Sequence, residues 1–233
     1  MIDFWKRFSR NRSALLGLVI LITVVFVASI ASIIYPEDPF RLAGKPLSGP
    51  GLNGFILGSD SLGRDVASGI AHGAKTSLLI GLIATLAAVF IGIIFGAFAG
   101  YYGGRIDDLL MRITEIFQTI PSFVFAILLV AIMKPSIESI VIAITVVSWP
   151  GVARLVRAEF LSIKNREFVQ ACHTLGMGDL RIMLREILPN CLSPIIVIGS
   201  LMVATAILIE SGLAFLGLGD PNIMSWGFQI GAG

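Results

Sequence analysis

Residues 166–190 read REFVQACHTLGMGDLRIMLREILPN, a polar and charged stretch with long apolar stretches on both sides. Charged side chains are costly inside a lipid bilayer, so this stretch is expected in water beside a membrane. Hydrophobic residues make up 56% of the 233 residues, and charged residues make up only 14%. Soluble proteins carry about 25% charged residues, so the composition indicates an integral membrane protein.

The first part of this stretch, Glu167 to Leu175, has the spacing of an amphipathic helix. One face of the predicted helix carries small or apolar residues, namely Phe168, Ala171, Cys172 and Leu175. Gly176 and Gly178 follow and favour a reversal, because glycine adopts backbone angles that other residues avoid.

The second part predicts another helix after the reversal. Asp179 is a candidate N-cap, and the helix is predicted over Leu180 to Leu188, ended by Pro189. The whole stretch is therefore predicted to be a helix–turn–helix hairpin beside the membrane. From the residues alone, two interpretations stay open: a solvated loop whose apolar face rests on the bundle, or a first helix that protrudes into a groove of a soluble partner.

Five apolar segments approach or exceed the roughly 20 residues that a membrane-spanning helix needs. They lie at 14–35, 77–101, 114–133, 137–156 and 191–217. The predicted fold class is an all-α polytopic transmembrane helical bundle. With the N-terminus inside, 12 of the 17 Lys and Arg residues fall in the inner segments. The positive-inside rule then predicts a cytoplasmic N-terminus and a cytoplasmic hairpin.

The second predicted span carries a small residue at every fourth position: Ala84, Ala88, Gly92, Gly96 and Gly100. Helices in lipid associate through close contact, so this stripe is a predicted packing face. Ordinary helix packing is the simpler interpretation, and a subunit interface or a lining of a transport path is the alternative.

Glu210 lies deep in the fifth predicted span. A charged carboxylate at the bilayer centre costs about 2.5–3.5 kcal/mol, so its side chain is expected to face protein or a water-filled cavity, or to be protonated. Two roles stay open for Glu210: a pathway or gate residue, or a structural hydrogen bond between helices.

The chain is not expected to be an enzyme. Gly73-Ala74-Lys75-Thr76 lacks the glycine spacing of a phosphate-binding loop. His72 and His173 are isolated, so no metal site is predicted. The basic residues lie at membrane boundaries, which does not predict a nucleic-acid partner.

A known signature matches part of the hairpin. Gln170-Ala171-Cys172, Gly176 and Ile187-Leu188-Pro189 resemble the EAA signature of ABC importer permeases: Glu-Ala-Ala, three residues, Gly, nine residues, Ile, one residue, Leu-Pro. Gln170 replaces Glu, Cys172 replaces the second Ala, and Ile187 lies one place late. The resemblance assigns the following residues to ATPase coupling: Glu167, Phe168, Gln170, Ala171, Cys172, Leu175, Gly176, Leu188 and Pro189. Phe168 and Leu175 would be the apolar anchors.

Other motifs make the resemblance more specific. They are YPEDP at 35–39, GSDSLGRD at 58–65, GYYGG at 100–104, Phe168-Val169, FLGLG at 215–219 and SWG at 225–227. From about Trp5 to Gly227 the chain is similar to the dipeptide, oligopeptide and nickel permease family, in particular its C-type subunit.

The resemblance implies a type I ABC importer transmembrane domain with a cytoplasmic coupling helix, in a prokaryotic inner membrane. It implies three kinds of partner besides the lipid bilayer: a B-type permease, two cytoplasmic ABC ATPases and an external substrate-binding protein. ATP and Mg would be bound by the ATPases, with no cofactor in this chain. The implied organisation is an N-terminal tail, first span and external loop over 1–75, and a permease domain over 76–233. The resemblance also implies six spans, so one more is expected after Trp226 and is apparently missing.

Short peptides are the expected substrate, and nickel or an oligosaccharide is the alternative. Outside this class, a secondary transporter or a structural membrane subunit stays open. A secondary transporter is expected to show broken helices in matched halves, and a structural subunit would not need an ATPase.

Overall fold

The computed structural model describes residues 8–52 and 54–232, and within these ranges the chain is helical, without a β-strand. In chain order the helices are α1 (Arg12–Ile34), α2 (Val66–Tyr102), α3 (Gly104–Gln118), α4 (Ser122–Met133), α5 (Ile137–Ile163), α6 (Glu167–Thr174), α7 (Asp179–Ile182), α8 (Leu188–Leu213) and α9 (Trp226–Ala232). Two π-helical turns, Met183–Ile187 and Ala214–Leu218, flank α8.

Four helical runs in the described residues are each long and apolar enough to cross a membrane. They are α1, α2, α5 and the continuous run Asp179–Leu218, with 23, 37, 27 and 40 residues. At 1.5 Å per residue even α1 reaches about 35 Å, against a hydrocarbon core of about 30 Å. A bent pair, α3 and α4, passes the same test together and would make a fifth span. The predicted all-α polytopic membrane bundle is confirmed.

The bounds of the third predicted span, 114–133, are wrong. The chain bends by 79° between α3 and α4, and Pro121 stands at the break as the N-cap residue of α4. Proline lacks an N–H and disfavours helical angles in the residue before it, so a helix through Ile120 is interrupted. A bidentate ion pair still holds α3 to α5, because Arg157 donates to both carboxylate oxygens of Asp107 at 2.5 and 2.6 Å.

The prediction that Pro189 ends the second hairpin helix is also wrong. The helix continues through Pro189 into α8, and a π-helical turn lies immediately before it. Proline removes one backbone hydrogen bond and crowds the carbonyl four residues earlier, and the wider π turn accommodates both effects. The predicted N-cap is displaced as well: Gly178 is the N-cap residue of α7, and the Asp179 carboxylate instead accepts a hydrogen bond from Tyr101.

The chain divides into two compact units, one from Leu79 to Asp220 and one formed by the residues before and after it. In the unit formed by the chain ends, the motif at 58–65 makes an ordered loop. Its Arg64 guanidinium lies 5.4 Å from the Phe40 ring centre and 5.3 Å from that of Phe228 in α9. The predicted division between residues 75 and 76 stays a prediction.

The unit Leu79–Asp220 contains the cores that position the hairpin. One buried cluster joins α2, α5, α6, α7 and α8 through Ala97, Val152, Val156, Phe160, Ile163, Val169, Ile182, Met183, Ile187, Cys191 and Ile195. Because the cluster includes residues from both sides of the hairpin reversal, the hairpin is packed onto the bundle rather than being a free loop.

Candidate functional site

One face of α6 is fixed in the protein core. Val169 is 0% exposed in the buried cluster, and Cys172, one turn further on, packs against the same cluster. Val169 was not among the predicted site residues, because a single valine in a polar stretch gives no signal of its own. Its burial sets the rotation of α6 about its axis.

The opposite side of α6 carries exposed apolar side chains, and Leu175, the C-cap residue that follows Thr174, extends this side. Phe168 is 39% exposed and Leu175 is 79% exposed, and Ala171 between them is exposed too. The sequence placed Cys172 on this same face, but the structure turns it toward the core. The reason is the helical rotation of 100° per residue, which puts Cys172 on the side of Phe168 that faces Val169. Glu167 and Gln170 are also exposed.

The reversal after α6 depends on Gly176. Its φ is +74°, a left-handed angle that favours glycine. The Gly176 N–H donates to the His173 carbonyl at 3.0 Å, and the Met177 N–H donates to the Cys172 carbonyl at 3.1 Å. This pair of bonds is a Schellman motif, which satisfies the last carbonyls of a helix. The signature glycine therefore ends α6 at a defined residue.

Two further residues predicted for ATPase coupling, Leu188 and Pro189, lie at the start of α8. Leu188 is half-buried and packs against the cluster that holds Val169, and Pro189 is exposed. The structure thus places the residues predicted for ATPase coupling on one hairpin, with Gly176 at its turn and Leu188 at its return to the bundle.

The C-terminal end of α2 contacts the hairpin directly, and sequence reasoning missed this contact. The Lys164 ammonium donates to the carbonyls of Gly100 at 2.9 Å and Tyr101 at 3.3 Å. The Tyr101 hydroxyl donates to Asp179 at 2.9 Å. The partners lie more than 60 residues apart in the chain, so spacing could not reveal them; the GYYGG motif was the one signal.

The small-residue stripe of α2 lies against α5 of the same chain. A Cβ added to Gly92 would stand 2.5 Å from Val152, and one added to Gly96 would stand 2.4 Å from the Ala153 carbonyl oxygen. One added to Gly100 would meet Phe160 at 2.6 Å. Ala84 and Ala88 are fully buried on the same helix. The glycines thus allow the two backbones to approach within contact distance.

Glu210 is 1% exposed within α8, and the Ser211 hydroxyl donates to its carboxylate at 3.4 Å. The side chain is therefore surrounded by protein atoms. Its assignment as a pathway residue or as a structural hydrogen-bond partner stays a prediction.

Replacing Glu210 with Gln and with Ala separates these roles. Glu210→Gln keeps the shape and the hydrogen-bonding capacity, so we expect folded protein in normal yield. Glu210→Ala leaves buried polar groups without their partner, which costs about 1–3 kcal/mol, so we expect a lower thermal midpoint in detergent. Transport is measured separately on each folded variant: a transport loss in the Gln variant at normal stability indicates a pathway role. Normal stability and transport in both variants would exclude both roles.

Among residues 8–52 and 54–232, no group of three or more His, Cys, Asp or Glu side chains is arranged to hold a metal ion. The exposed side chains along α6 form an apolar surface, and the burial of Val169 holds that surface in a fixed orientation.

Comparison with known proteins matches the chain to membrane transport permeases. The family described as binding-protein-dependent transport system inner membrane component matches residues 88–231, and the N-terminal TM domain of oligopeptide transport permease C matches residues 1–48. The dipeptide transport system permease protein DppC of Bacillus subtilis is 40% identical over 232 residues, which cover 99% of this chain and 72% of the relative. The oligopeptide transport system permease protein OppC of the same organism is 36% identical, over 100% of this chain and 78% of the relative.

The fold has a counterpart among solved structures. A chain of the MetNI methionine ABC transporter in an inward-facing conformation superposes with a TM-score of 0.58 at 17% identity, covering 66% of this chain and 77% of that one. At this identity the likeness concerns the fold alone. It confirms the type I importer transmembrane fold, and the sequence relatives confirm the resemblance to C-type ABC importer permeases. The chain therefore belongs to the family of inner membrane components of binding-protein-dependent transport systems.

Proposed function

We propose that this chain is the C-type permease subunit of an ATP-driven importer of short peptides, and that α6 is its coupling helix. The coupling role is supported by the difference between the two faces of α6. Val169 locks one face into the core, while Phe168 and Leu175 stay exposed on the other. Exposed apolar side chains on a rigid helix beside a membrane bundle fit a groove on a soluble partner. The peptide substrate is supported by the names of the two Bacillus relatives.

The proposed orientation places the N-terminus and the hairpin in the cytoplasm. Positive charge supports it, because Lys and Arg are enriched in the segments on the hairpin side. Lys164, Arg166, Arg181 and Arg185 lie in or next to the hairpin itself. With this orientation the loop between α1 and α2 is external and can meet a binding protein.

The proposed partners are a B-type permease, two cytoplasmic ABC ATPases and an external substrate-binding protein. ATP and Mg are bound and used by the ATPases, and this chain contributes part of the transport path and the coupling helix α6. Closure of the ATPases around nucleotide would move α6 as a rigid body, and alternating access follows if the two nucleotide states favour different bundle conformations.

The test is a complete complex in proteoliposomes, with the binding protein and ATP on opposite sides. We expect ATP-dependent uptake of a labelled dipeptide, alanylalanine, and stimulation of ATP hydrolysis by the peptide-loaded binding protein. Parallel arms use Ni²⁺ and a labelled maltooligosaccharide. Uptake in one of those arms alone would replace the peptide proposal. Uptake driven by a proton gradient without ATP would exclude the importer mechanism, and a complex that lacks this chain is the control.

A further inference from the structure

The end of α2 contacts three separate parts of the hairpin region through one residue, Tyr101. Its backbone carbonyl accepts a hydrogen bond from Lys164, which follows α5. Its ring lies against the His173 ring in α6, with centres 6.3 Å apart and planes 26° from parallel. Its hydroxyl donates to the Asp179 carboxylate in α7 at 2.9 Å. Tyr101 therefore touches the segment before α6, α6 itself and the helix after the reversal.

These contacts differ in kind from the rest of the hairpin packing. Val169 and Ile182 hold the hairpin by apolar burial, which has no preferred direction and permits rotation about the contact. The Tyr101 hydrogen bond to a carboxylate is directional and lies on the far side of the Gly176 turn from α6. Together with the ring contact on His173, it clamps both arms of the hairpin to one point.

The clamp is attached to a stiff element. Tyr101 directly follows Gly100, which with Gly96 and Gly92 lies in close contact with the α5 backbone. A force on the hairpin can reach α5 through the chain itself, because α6 starts soon after α5 ends. It can reach α2 only through contacts across space, and Tyr101 supplies directional ones.

We propose that Tyr101 is a positioning residue for energy coupling: it fixes the hairpin to α2, so that displacement of α6 moves α2 and α5 together. This inference rests on the proposed function, since it presumes an ATPase that displaces α6. Without the Tyr101 contacts, α6 rotates about the buried Val169, and ATP is hydrolysed without a matching movement of the bundle.

The experiment compares Tyr101→Phe with Tyr102→Phe in the complete reconstituted complex. Both substitutions remove one phenolic hydroxyl and keep the ring. Tyr102 is exposed and packs on Phe98 and on Tyr101, so it is a matched control from the same helix turn. The measured quantity is the number of ATP molecules hydrolysed per alanylalanine imported, together with complex yield and thermal midpoint.

We expect Tyr101→Phe to raise that ratio about fivefold, in line with the loss of one exposed hydrogen bond of ordinary net strength. The yield should be unchanged and the midpoint lowered by no more than a few degrees. Tyr102→Phe should match the wild type. Asp179→Asn keeps an acceptor oxygen and should retain most of the coupling, whereas Asp179→Ala should resemble Tyr101→Phe, and the double variant Tyr101→Phe/Asp179→Ala should be no worse than either single one.

An unchanged ratio in Tyr101→Phe overturns the inference, as do equal losses in Asp179→Asn and Asp179→Ala. A lower complex yield with an unchanged ratio also overturns it, because Tyr101 would then act in folding alone. If the wild-type complex itself imports no peptide with ATP, the proposed function is wrong. If the wild type imports peptide with ATP and Tyr101→Phe has the same ratio, only the role of Tyr101 is wrong.

Discussion

Leu175→Asp is expected to leave the chain folded and to abolish the proposed association with the ATPases. Leu175 is 79% exposed, so the substitution should change the stability of the isolated chain by less than about 0.5 kcal/mol. In the docked complex the same position loses a leucine contact of about 1.5–3 kcal/mol and places a charge in an apolar groove, at a further cost of about 2 kcal/mol. A total near 4 kcal/mol weakens association about 1,000-fold.

The measurement is co-purification of the ATPases with a tagged permease, with the thermal midpoint as the check on folding. Leu180→Asp is the matched control, because Leu180 is exposed on the return helix α7 rather than on α6. Leu175→Met should bind normally, since it keeps an apolar side chain of similar size. Full recovery of the ATPases with Leu175→Asp would remove α6 from the coupling role.

Gly96→Ala is expected to destabilise the bundle by about 3 kcal/mol, at the upper end of the usual cost of overpacking. The added Cβ would lie 2.4 Å from the Ala153 carbonyl oxygen and 2.7 Å from the Val156 Cβ. The first of these atoms belongs to the backbone, so no rotamer change relieves the contact and α2 must separate from α5. We expect a sharply lower yield of folded protein and a thermal midpoint reduced by several degrees.

Gly199→Ala is the matched control for this prediction. Gly199 also lies inside a membrane helix, but a Cβ added there would have Val89 as its nearest neighbour, at 3.7 Å, which is an ordinary contact. Alanine has the higher helix propensity by about 1 kcal/mol, so Gly199→Ala should be neutral or slightly stabilising. If Gly96→Ala is as stable as Gly199→Ala, the close approach of α2 and α5 is wrong.

Local signals in the sequence predicted the elements of the hairpin well. The 3.6-residue period identified α6, and Gly176 marked the reversal because its position requires a left-handed backbone angle. The same rules failed at Pro189, where local proline chemistry predicts an end to the helix. A π-helical turn before Pro189 absorbs the mismatch, and the buried contacts of Ile187 and Cys191 hold the continuous helix in place.

The hydrophobic pattern by itself determined that the chain is a helical membrane protein with a polar hairpin. Each segment that lies in lipid must be apolar along its whole length and must satisfy its own backbone polar groups by forming a helix. Only the tertiary structure decided which faces meet. The stripe of α2 pairs with α5 through residues such as Gly96 and Ala153, and Val169 rather than Phe168 turns inward. These choices depend on contacts between segments far apart in the chain, whose shapes must fit at close range, and no local pattern encodes that fit.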